Sequence, residues 1–217
     1  MAAQLAVWED SVDGRAIFLD CYLRMTHAVL ERIDQRGFDD PVWVAGLLDR
    51  FADYYFDSID GGAEGRPIPE PWVLAHAAAV GGGAHPFQLL IAGVNAHINY
   101  DLVATVVDLL DDEWHDLDPA GRDVRRRDYD AINDVIAATA DLVQERVLVR
   151  RVPWMGFADR ALGRWDERAA TKLLTTWRTQ VWRHSMELLD DADADRRDVR
   201  LRALEHQCTR RARWLLL

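Results

Sequence analysis

A chain of 217 residues with 49% hydrophobic and 29% charged side chains is long enough for one sizeable core and too apolar to stay disordered. Its formal net charge of -11 repels phosphate backbones and anionic headgroups, which argues against nucleic acid or a membrane surface as a partner. Cys21 and Cys208 are too few for a disulfide framework and lack metal-ligand spacing.

Gly and Pro punctuation divides the chain into helical segments. A first helix is expected from about Val12 to Gln35, capped by Ser11 and closed near Gly37. A second opens at Pro41, carries Val44, Leu47, Leu48, Phe51 and Tyr55 on one face, and ends at Gly61 and Gly62. After the loop GGAEGRPIPEP comes a short helix from Trp72 to Val80, stopped by the three glycines that follow. The fourth helix runs from His85 to about Asp112. Asp118 and Pro119 supply the N-cap and first turn of a fifth, which reaches about Leu148. RVPWMGFADRALGRW reads as a connector, and two more helices follow near Glu167–Leu189 and Asp195–Leu216. With no alternating strand pattern, the expected fold is all-α: one domain over residues 1–217, a bundle of about six to eight helices.

The start, MAAQLAVWEDSVDGR, has no basic segment leading into an apolar one, and no apolar run reaches the roughly 20 residues that span a bilayer. A soluble, cytoplasmic protein is expected, either monomer or homodimer. Trp8 and the terminal WLLL are candidates for a dimer contact or for docked chain ends.

The informative stretch is GVNAHINYDL, residues 93–102. At about 100° per residue, Phe87, Ile91, Val94, Ile98, Leu102 and Thr105 form the natural core stripe. His97 and Asp101 fall on one shoulder of it, Asn95 and Asn99 on the other, each pair at i,i+4 spacing. A buried amide or imidazole without a partner costs about 1–3 kcal/mol, so four such groups on one apolar helix need partners. Three accounts are open. The four groups form a core hydrogen-bond network; or His97, oriented by Asp101, is a general acid or base facing a cavity; or the two are metal ligands, completed from His27, His76, Asp49 and Asp53.

Further candidates lie downstream. In the fifth helix Asn133 is the polar member of the stripe Tyr129, Ile132, Ile136, Ala140 and Val143, with Asp128 at its edge. In the sixth, Arg178 and Trp182 flank Leu174, Trp177, Val181, Ser185 and Leu188. An inward Arg178 needs a carboxylate, and Asp101 or Asp128 is expected to supply it. Trp43, Trp72, Trp177 and Trp182 serve either as core or as the wall of an aromatic cavity.

Some motifs are decoys. DDEWHD (111–116) and NDVIAATAD (133–141) match the metal motifs of class I terpene cyclases poorly, with Ala137 and Asp141 where Ser/Thr and Glu belong. LDDADADRRD (189–198) lacks the glycine and the terminal glutamate of a calcium loop. Neither a P-loop nor a nucleophile elbow is present.

The segment QLLIAGVNAHINYDL (88–102), together with YLRMTHAVLERI (22–33), DPVWVAGLLDRFADYYFDSI (40–59), RRDYDAIN (126–133) and RTQVWRHSMEL (178–188), resembles the largely bacterial domain of unknown function family 5995. In the last block Val181 and Ser185 stand where alanines are usual in that family. The resemblance implies an all-α single domain and a central role for residues 95–102, and it supplies no reaction.

The resulting expectation is a cofactor-independent enzyme, of isomerase, cyclase/lyase or hydrolase type. His97 and Asp101 transfer a proton on a mostly apolar or aromatic small molecule held by Asn95, Asn99, Asn133, Arg178, Trp182 and Tyr129. The alternatives are a non-catalytic small-molecule binding or interaction protein, and a metal-dependent hydrolase.

Overall fold

The computed structural model describes residues 1–143 and 167–217. The helices are α1 (Ala2–Asp10), α2 (Arg15–Asp34), α3 (Pro41–Glu64), α4 (Glu70–Gly81), α5 (Pro86–Ala96), α6 (Leu102–Leu110), α7 (Pro119–Val143), α8 (Glu167–Leu189) and α9 (Ala194–Leu215). A π-helical turn, His97–Asp101, joins α5 to α6, so the two form one rod and the described residues make eight helical rods without a strand. The fold is the expected all-α bundle. The connector at 151–165 and the end of the fifth helix near Leu148 lie outside the described residues.

Side-chain caps start four of these helices. Asp40 accepts from the amides of Val42 and Trp43, with Pro41 in the first turn of α3. His85 and Gln88 form a reciprocal capping box ahead of Pro86. Asp118 accepts from Gly121 N at 2.7 Å, and Asp193 from Asp195 N at 3.0 Å. Gly65 and Gly82 close α3 and α4 with φ of 70° and 69°, the left-handed region where only glycine is unstrained.

The first helix departs from expectation. Ser11 does not cap α2; it follows α1, and its hydroxyl donates to the Val7 carbonyl at 2.9 Å. Leu5 and Trp8 bury themselves against the core, which makes the chain helical before Ser11. The reversal then passes through Val12, whose φ of 55° is rare for a β-branched residue. Trp8 is thus a docked side chain, with the Arg15 guanidinium 4.5 Å from its ring centroid, whereas Trp214 is 73% exposed.

The α5–α6 rod is the axis of the bundle. Helices α2, α4 and α9 pack on α5, helices α3 and α8 pack on α6, and the π turn touches α3, α8 and α9. Helix α7 lies across α2 and α8. Pro86–Leu110 is the one described helix long and apolar enough by composition to cross a membrane, and 72% of its most apolar window is buried inside the bundle.

Candidate functional site

The four polar groups at the middle of the rod are enclosed. Asn95, His97, Asn99 and Asp101 are buried, while Phe87, Val94 and Ile98 of the predicted core stripe are only half-buried. Ile91, Leu102 and Thr105 of that stripe are buried as expected, and two things displace the rest: neighbours pack on the rod from several sides, and the π turn inserts an extra residue, with Leu102 N donating to the His97 carbonyl five residues back. A uniform 100° projection does not hold across such a turn, and π turns are frequent at functional sites.

His97 Nδ1 lies 2.9 Å from Asp101 Oδ2, and the same oxygen accepts the Trp72 indole N–H at 2.9 Å. Aromatic rings from three other helices enclose the imidazole. Phe51 stacks on it with centroids 3.5 Å apart at 7°, and Tyr22 meets it edge-on at 4.5 Å. Phe18, Tyr55 and Trp72 complete the wall at 5.6, 5.8 and 6.0 Å. Gly93 makes room for this wall: a Cβ there would lie 2.7 Å from the Phe18 ring.

Burial pushes the Asp101 carboxyl well above its ordinary value, opposed by the Trp72 N–H, and pushes His97 well below its own. The two directions describe one coupled unit in which a dry site disfavours net charge. With both groups neutral, the carboxyl O–H donates to Nδ1 and the remaining imidazole proton sits on Nε2. That nitrogen is buried and has no hydrogen-bond partner. Orphaned buried polar atoms are rare in native structures and call for an explanation.

The asparagines do other work. Asn95 donates to the Cys208 carbonyl at 3.0 Å, and its oxygen accepts from Asn99 and Arg211, both at 3.3 Å. Both expected i,i+4 pairs form, but the asparagine pair ties the rod to α9. Arg178 is buried and, among the described residues, donates to Asn133 Oδ1 at 2.7 Å and to the Tyr129 carbonyl at 2.6 Å. Tyr129 OH returns a bond to the Arg178 carbonyl at 2.8 Å, and Trp182 packs on the Tyr129 ring at 5.0 Å. This cluster clamps α7 to α8, and no described hydrogen bond or ring contact joins it to His97.

The carboxylate expected for Arg178 is not Asp101 or Asp128. Asp101 is taken by His97 and Trp72, and Asp128 accepts the amides of Asp39 and Asp40, each at 2.7 Å, to hold the start of α3. Among the described residues, a backbone carbonyl and an amide oxygen receive the guanidinium instead. For the metal reading, the described residues bring no group of three or more His, Cys, Asp or Glu together.

Sequence reasoning missed Tyr22, Phe18 and the polar role of Trp72. One signal was available for Trp72: an indole on a short apolar helix needs an acceptor for its N–H once buried. The aromatic wall had no comparable signal, because each ring also fits an ordinary helical core stripe.

The protein is thus an all-α bundle organised round a central rod that carries an enclosed His–Asp pair at a π turn. The chain belongs to the family of unknown function DUF5995, whose profile matches residues 1–217. No curated protein and no solved structure matches it.

Proposed function

We propose that the protein is a cofactor-independent enzyme in which His97, held by Asp101, transfers a proton to or from a mostly apolar small molecule. The observation that carries the reading is the Nε2 atom of His97, buried without a partner while Nδ1 is fixed. Nε2–H is the proton to be delivered, and the Trp72 N–H stabilises the carboxylate that forms when the pair carries net negative charge. The aromatic wall suits an apolar substrate and excludes water from the proton. Two buried free cysteines fit a reducing cytoplasm as the place of action.

The test uses solvent deuterium. The full chain is incubated in deuterated water with a library of neutral apolar alcohols and ketones, and mass spectrometry reads isomers and carbon-bound deuterium. The expected result is protein-dependent incorporation that His97→Phe and Asp101→Asn abolish while both variants stay folded. Incorporation that persists in those variants, or none from the wild type, overturns the reading. A second reading, a binding or interaction protein in which the pair is structural, draws support from the enclosure of the imidazole, 2% exposed beneath Phe51.

A further inference from the structure

A cleft of about 660 Å³ opens between the end of α3, the loop after it and the outer face of α4. Ile59, Ile68, Val73, Ala77 and Val80 line it, and Ser58 and His76 add polar groups. Ser58 Oγ lies 3.1 Å from His76 Nε2 and donates to the Tyr55 carbonyl at 2.7 Å. With the hydroxyl proton so committed, His76 Nε2 carries the imidazole proton and Nδ1 is an acceptor. Arg15 and Arg66 also border the cleft, but Asp13 and Glu64 already neutralise them, each at 2.6 Å. The cleft therefore has no uncompensated charge for an anion.

One layer of side chains separates this cleft from the His97–Asp101 pair. Trp72, 1% exposed, stacks on His76 with centroids 5.1 Å apart at 17°, and on its other side donates to Asp101 at 2.9 Å. Tyr55 takes the Ser58 proton on its carbonyl, and its ring stands 5.8 Å from that of His97. The polar groups of the cleft and those of the pair thus share the same two aromatic residues.

We infer that this cleft is a binding site for a neutral, largely apolar molecule bearing a hydroxyl group, and that it is where the substrate of the His97–Asp101 pair first docks. The second half rests on the acid–base reading; the binding does not. His76 Nδ1 accepts from the hydroxyl of the ligand, while the valine, alanine and isoleucine walls take the hydrocarbon.

The probe is n-octanol, with octanoate as its anionic counterpart, titrated into the full chain while methyl NMR follows Ile59, Ile68, Val73 and Val80. Saturable shifts are expected at these methyls with octanol, and binding about tenfold weaker with octanoate. Ala77→Trp, an exposed position that fills the cleft, weakens octanol by about tenfold or more, and His97→Phe leaves it within about twofold. Shifts that never saturate, equal binding of octanoate, or undiminished binding by Ala77→Trp overturn the site. If octanol binds as described and deuterium exchange is absent, the acid–base reading falls and the binding site stands. If exchange depends on His97 and octanol does not bind, the cleft falls alone.

Discussion

Trp72 donates its indole N–H to Asp101 Oδ2 at 2.9 Å, so helix α4 holds the group that orients His97 on the central rod. Trp72→Phe keeps the ring and removes the donor. The expected cost is about 1–3 kcal/mol of unfolding free energy, the range for a buried acceptor that loses its partner. Urea denaturation measures it, and a change below a few tenths would show that the bond contributes nothing.

His97 and Asp101 are expected to behave as one unit. In a double-mutant cycle with His97→Phe and Asp101→Leu, each single change leaves a buried polar partner behind, whereas the double change removes both. The coupling energy should be about 1–3 kcal/mol, with the double variant more stable than the sum of the singles predicts. Additive effects would mean that the 2.9 Å contact carries no interaction energy.

His76 gives the stability a pH dependence of definite sign. Burial, then Arg15, lower it to about 4 from 6.5, with Asp13 opposing. Between those values the unfolded chain binds more protons, so stability rises with pH through the window, is complete above 6.5 and is lost toward about 4. At 1.36 kcal/mol per pH unit the full effect is at most about 3 kcal/mol. Urea midpoints taken across this window should climb for the wild type and flatten for His76→Gln; parallel profiles would refute the assignment.

Gly93→Ala tests the aromatic wall. Its Cβ would meet the Phe18 ring at 2.7 Å and the Phe18 Cβ at 3.0 Å, too near the backbone of α2 for the ring alone to give way. The expected loss is about 1–3 kcal/mol, the usual cost of overpacking, despite the better helix propensity of alanine. A stabilised variant would mean that α2 can move off the rod freely.

Much of the fold was legible because its signals are local. Asp40 with Pro41, Asp118 with Pro119, and the glycines after α4 act within a turn of where they stand, whereas α3 runs through Gly61 and Gly62, expected to end it, and closes at Gly65. The i,i+4 spacing of His97 and Asp101 was likewise enough to bring them together, since one helix contains both. Arg178 shows the limit: its inward position was readable, but its partners are on α7, and a carbonyl oxygen has no sequence signature.

The sequence by itself determined the helical elements after α1, several of their caps and the pairing of His97 with Asp101, all interactions within a few residues. Tertiary structure alone decided that this pair is walled by Phe18, Tyr22, Phe51, Tyr55 and Trp72 and that Asn95 bonds to α9. Periodicity specifies which face of a helix is apolar. It does not specify which neighbour meets that face, and a rod packed by five helices has more than one core face.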